Sequence, residues 1–113
     1  MAAQARKIAD KKVVIVDVGE DLRGKHSERF RSTIYTLTHE GNYHILVNFE
    51  GVKSTDSLGI GVLIMGMKQC DEHEGQFRLL NVSPEIIRTL KILKIDQFFK
   101  FFDDEATAVD SFD

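Results

Sequence analysis

One cysteine, Cys70, stands alone in 113 residues, so no internal disulfide can form, and the composition suits a reducing compartment. A single proline and eight glycines give neither a fibrous nor a disordered signature. The longest uncharged apolar run, Leu58–Met67, is ten residues, short of the ~20 that a spanning helix needs, and reads as a buried helix. The opening MAAQARKIADKK has charges but no apolar segment behind them, unlike a secretory signal. A cytoplasmic protein without membrane insertion is therefore expected. A basic stripe is also missing: the net charge is −3 and the Lys and Arg residues are scattered, which argues against nucleic acid as a partner.

What is present is 42% hydrophobic and 29% charged, the balance of a globular chain. Its length fits one domain over residues 1–113, with 1–11 as a short first strand or a flexible start. The β-branched run Lys12–Val18, between an Asp10–Lys11 turn and Gly19, predicts a strand hairpin-paired with the stretch before it. Phe30, Ile34 and Leu37 share one face of a helix over Ser27–His39, which Gly41–Asn42 stops. His44–Phe49 is a continuous apolar strand of the kind covered on both faces. A second helix runs from about Ser57 to Glu74, with Gly75 as a left-handed stop.

Gln76–Val82 is the next strand, and Ser83–Pro84–Glu85 then gives a cap, a first-turn proline and an early acid for a helix to about Leu93. Phe98–Phe102 overlaps a last strand, and Asp103–Asp104–Glu105 puts negative charge at the start of a C-terminal helix. Strands alternating with helices predict an α/β fold with a largely parallel or mixed sheet of four to five strands and four helices. Right-handed crossovers are the default in such a fold. Ligand and partner sites in open α/β sheets form beyond the carboxyl ends of strands, where EGVKSTDS falls.

Within Thr55–Asp56–Ser57–Leu58–Gly59–Ile60–Gly61, Asp56 or Ser57 can accept hydrogen bonds from the free N–H groups of a first helical turn. Gly59 and Gly61 are costly there, by up to ~1 kcal/mol each relative to alanine, so something must approach the backbone closely. That approach is either the sheet beneath or a docked partner. We expect Gly61 to pack on the sheet and Gly59, nearer the helix start, to face a partner. Gly59, Gly61 and Gly66 have the wrong spacing for a dinucleotide fingerprint, and no phosphate-binding loop of the Walker type occurs.

These landmarks, in the order Gly19–Glu20, Ile45–Leu63 and Leu79–Val109, resemble the STAS domain of anti-sigma-factor antagonists. The Asp–Ser–x–Gly–x–Gly core is the most specific of them. The resemblance implies that Ser57 is the phosphoacceptor of an anti-sigma factor that is a serine kinase, with Thr55, Asp56, Leu58, Gly59 and Gly61 around it. It further implies partner switching: the unmodified protein binds the kinase, phosphorylation releases it, and a phosphatase resets it. Three positions depart from the family pattern. Leu58 replaces a small or hydroxylated residue, Thr55 an apolar one, and Asp21 is shifted by one place from the family's Gly-x-Leu-Asp.

Cys70 and His73 share a helix face beside CDEHE, but a closed zinc site wants four ligands and no second cluster exists, so Cys70 is expected to be a half-buried helical residue. His26, His39, His44 and His73 are dispersed and recommend no triad, so neither an enzyme nor a cofactor is expected. Phe98, Phe99, Phe101 and Phe102 cannot all face one side of a strand, and a contact patch or a homodimer interface is one use of the surplus. The alternative function is a non-phosphorylated STAS subunit of a stress-signalling scaffold or a lipid-transport complex, which the apolar Leu58 favours.

Overall fold

In the computed structural model, which describes residues 3–8 and 11–112, the chain forms a five-stranded mixed sheet and four helices. The strands are β1 (Gln4–Lys7), β2 (Val14–Asp17), β3 (His44–Asn48), β4 (Gln76–Leu80) and β5 (Phe101–Phe102). The helices are α1 (Lys25–His39), α2 (Ser57–Glu72), α3 (Pro84–Ile92) and α4 (Glu105–Asp110). Spatial order equals chain order; β1 pairs antiparallel with β2, and every later pair is parallel. The expected hairpin is thus formed, although Asp10 of its turn lies outside the described residues.

A sheet that always grows in one direction, through right-handed crossovers, puts every crossover helix on the same face. The core bears this out. Val14 and Val16 of β2, Ile45 and Val47 of β3 and Phe77 and Leu79 of β4 face Phe30 and Ile34 of α1, Leu63 and Cys70 of α2, and Ile86 and Leu90 of α3. The alternate residues Ile15, Leu46 and Leu80 turn to the other face, under Ala108, Val109 and Phe112 at the C-terminus. Arg78 also points there, 7% exposed, donating to the Ser111 carbonyl with its guanidinium over the Phe112 ring. The charge is tolerated because it is hydrogen-bonded and stacked.

Helix ends follow local chemistry, with two corrections. Gly41, at φ 88°, stops α1 as expected, and Ser83 caps α3 by accepting from the Ile86 amide. At the end of α2, however, the left-handed residue is Glu74 (φ 60°), not Gly75. Gly75 is needed for space: a Cβ there would lie 1.9 Å from the Tyr43 carbonyl oxygen, where the chain turns into β4. The expected strand Phe98–Phe102 shrinks to Phe101–Phe102, because Asp96–Phe98 closes a 3-10 turn. The four phenylalanines are shared out: Phe99 and Phe101 join the large core, Phe102 the small one, and Phe98 stays exposed.

Candidate functional site

The loop after β3 is anchored at both ends and exposed in the middle. Phe49 and Val52 are buried, with the Val52 amide donating to the Phe49 carbonyl, and Gly51 at φ 82° turns the chain between them. Beyond the turn the loop lies along the segment that follows β2. Leu22 N donates to Ser54 O, Asp56 N donates to Leu22 O at 2.7 Å, and Leu22 forms a parallel bridge with Thr55. Asp21 reinforces the pairing by accepting from the Lys53 amide at 2.8 Å, a bond that holds its carboxyl below the usual carboxylate range. Shifted by one place or not, Asp21 serves this loop.

Asp56 is the keystone. Its Oδ1 accepts from the Gly59 amide at 3.0 Å, which makes Asp56, rather than Ser57, the N-cap of α2. The same oxygen accepts from Ser27 Oγ at 2.6 Å, and Oδ2 accepts from the Gly24 amide at 3.0 Å. Gly24 is the N-cap of α1 and offers no side chain of its own, so one carboxylate serves the amino ends of two helices, where negative charge is favoured. Ser27's hydroxyl first, then the Gly59 and Gly24 amides and the nearby Arg23, lower the Asp56 pKa. A carboxylate so occupied is a weak base. Ser27, fully buried, and Gly24 escaped the sequence reading; the available signal was a small hydroxyl on the first turn of an otherwise apolar helix face.

The remaining residues of the motif divide between two sides. Thr55 is half-buried, its hydroxyl donating to the Asp56 carbonyl and lying under Gly59. Leu58 is half-buried and packs on the large core. Ser57, the first residue of α2, is exposed.

The two glycines reverse our expectation. Gly59 is buried, and a Cβ there would lie 2.2 Å from Thr55 Oγ1 and 3.1 Å from Leu22 Cβ, so Gly59 is the packing glycine. Gly61 is exposed, and a methyl group in its place would find nothing within 4 Å, so it faces outward. The physical reason is register: the Asp56 cap turns position 59 toward the Leu22 segment, and 61, two residues on, falls on the other side of the helix. Cys70 is also corrected, from half-buried to wholly buried, and burial pushes its thiol up to about 12. His73 instead lies exposed, stacked on Tyr43 at 3.9 Å.

Residues 4–108 match the STAS domain family. The chain belongs to that family. A Thermotoga maritima protein provisionally designated an anti-sigma factor antagonist is 25% identical over 105 residues, covering 92% of each chain. A crystal structure of that type from the same organism superposes with a TM-score of 0.87 at 21% identity, over 96% of this chain and 92% of the other, which speaks for the fold. The anti-sigma factor antagonist SpoIIAA, in its unphosphorylated form, is 27% identical with a TM-score of 0.74, covering 97% of this chain and 96% of its own. SpoIIAA, a Bacillus cell fate determinant, is also known in a phosphorylated form. No described helix of the present STAS domain is long and apolar enough to cross a membrane.

Proposed function

We propose that this STAS domain is an anti-sigma factor antagonist that works by partner switching, with Ser57 as its phosphoacceptor. The observation that carries the reading is the contrast at the α2 start: Ser57 is exposed on the first turn, while Asp56 before it is fixed by three hydrogen bonds. Unmodified, the loop and the outer side of α2 dock an anti-sigma serine kinase in the cytoplasm. The kinase supplies Mg²⁺, ATP and the transfer chemistry; this chain supplies a hydroxyl and has no enzymatic role of its own.

Phosphorylation adds about −1.5 to −2 charge at Ser57. In the free protein the amino end of α2 and water accommodate that charge. On docking it loses its water beside Asp56 and the exposed Glu50, and like charges repel. Binding is lost without unfolding, and a phosphatase restores it. SpoIIAA's existence in both forms supports the scheme. Leu58 is half-buried against the core, so only part of it adds apolar surface beside Ser57, which weakens the argument for a non-phosphorylated scaffold or lipid-transport subunit.

The test is incubation with the cognate kinase and ATP, then mapping by fragmentation mass spectrometry. Phosphate is expected on Ser57; phosphate only on Thr55, or on neither, overturns the assignment. Ser57→Ala is expected to keep kinase binding and Ser57→Asp to weaken it in part. Equal affinity of phosphorylated and unmodified protein rules out charge repulsion.

A further inference from the structure

Arg23 is a cation at the α2 start with most of its donors unused. It follows the buried Leu22 and is itself exposed. Its Nε donates to Ser54 Oγ at 3.0 Å, while Nη1 and Nη2 make no hydrogen bond or ion pair among the described residues. A guanidinium offers five N–H donors in a rigid fork, so four remain available.

The backbone puts that fork beside Ser57. Residues 22–24 run along residues 54–56: Leu22 N donates to Ser54 O, Asp56 N to Leu22 O, and Gly24 N to the Asp56 carboxylate. The parallel bridge between Leu22 and Thr55 makes Arg23 the neighbour of Asp56, across the spacing of about 5 Å between paired chains. Ser57 is one Cα step of about 3.8 Å further. Leu22 turns inward under Gly59, so the next residue of this extended segment turns outward, as Ser57 does. The Arg23 charge is felt at both adjacent carboxyls: it adds to the lowering of Asp21, set first by the Lys53 amide, and of Asp56, set first by the Ser27 hydroxyl.

The nearby acids are already engaged. Asp56 accepts three hydrogen bonds, Asp21 accepts from the Lys53 amide, and Glu20 lies 3.5 Å from His26 Nε2. Lys25, Lys53 and Glu50 are exposed and form no ion pair among the described residues.

We propose that Arg23 receives the phosphate carried by Ser57: in the free, phosphorylated protein its guanidinium leaves Ser54 Oγ and clamps two phosphate oxygens. The inference rests on Ser57 being the phosphoacceptor and names what holds the modified state. A phosphate dianion is a stronger acceptor than a serine hydroxyl, and the paired Arg–phosphate contact is among the strongest hydrogen-bonded arrangements. Only two exposed side chains need to turn, and the locked frame of Asp56, Ser27 and Gly59 stays as it is. Arg23 is a positioning residue in this role and takes no part in the transfer step.

The test installs phosphoserine at position 57 during translation, which removes the kinase from the measurement, and follows the second phosphate ionisation by phosphorus NMR against pH. Neighbouring acids raise that pKa, whereas Arg23 and the amino end of α2 lower it. The reading is therefore the difference between variants in which the acids are constant. Arg23→Gln is expected to raise the pKa by about 0.5 or more, a threefold or greater gain in proton affinity. Lys25→Gln removes an exposed charge of the same sign without the fork and is expected to raise it by less than half as much. No change in Arg23→Gln, or equal changes in the two variants, overturns the clamp. Melting temperatures give a second readout: Arg23→Gln is expected to destabilise the phosphorylated protein more than the unmodified one, and equal losses overturn the clamp as well. Phosphate missing from Ser57 in the kinase mapping overturns the phosphoacceptor reading and this inference with it, whereas a pKa indifferent to Arg23 overturns the clamp alone.

Discussion

Thr55, Asp56 and Gly59 on one side of the α2 start, and Ser57 and Gly61 on the other, lie within seven residues yet meet different surroundings. The first group is locked against the Leu22 segment and the start of α1 by hydrogen bonds and close packing. The second faces solvent. A charge placed on the free side therefore meets a frame that need not move, so a modification can change what docks without changing the fold. Large stability effects are expected on the locked side and small ones on the free side.

Asp56→Ala strikes the locked side hardest. It removes a helix cap worth about 1 kcal/mol and leaves the buried Ser27 hydroxyl and the Gly24 amide without their acceptor, for an expected total loss of about 2 to 4 kcal/mol. Urea unfolding beside Ser57→Ala checks it: similar midpoints for the two variants would break the comparison. Gly59→Ala comes next, at about 1 to 3 kcal/mol, because Thr55 Oγ1 can rotate away from the new methyl group but the Leu22 Cβ cannot. A melting curve for Gly59→Ala that matches the parent protein would mean that the loop yields freely.

Acid sharpens the same contrast. The Asp56 pKa is lower in the folded than in the unfolded chain, chiefly through Ser27, so its ionised form favours folding. That contribution is complete above the unfolded carboxylate pKa, near 4, and is lost as pH falls through the folded value. Asp56→Asn is expected to flatten the acid limb of a stability-against-pH curve below about pH 4. The flattening is partial, because Asp17, hydrogen-bonded to Arg6, and Asp21 titrate in the same sense. A limb as steep in Asp56→Asn as in the parent would detach the carboxylate from stability.

Much of this was legible from residue order alone. Strand and helix alternation pointed to the mixed sheet, since β-branched runs and helical periodicity are local signals. The strand ends were overextended where the backbone leaves the sheet although the side chains stay apolar, as at Phe98, which sits in a 3-10 turn. The candidate site was reached through its motif and its place after β3. What local sequence could not give was the partner of Asp56: Ser27 lies 29 residues away and meets it only because α1 and α2 start side by side. The same missing contact explains the inverted glycines, because helix phase is fixed by which residue caps, and both Asp56 and Ser57 were able to.

Gly61→Ala has the smallest expected effect on stability and the most to say about docking. A methyl group at Gly61 meets nothing within 4 Å, and alanine is favoured over glycine in a helix interior by up to ~1 kcal/mol, so the melting temperature should hold or rise. If the outer side of α2 is where the kinase docks, the same methyl group should stand between two close backbones and cut affinity, a combination that a scaffold glycine cannot produce. Calorimetric titration of kinase into Gly61→Ala, beside its melting curve, reads both. Unchanged affinity with raised stability would leave Ser57 exposed but move the docked surface off this side of α2, toward the Glu50–Lys53 turn.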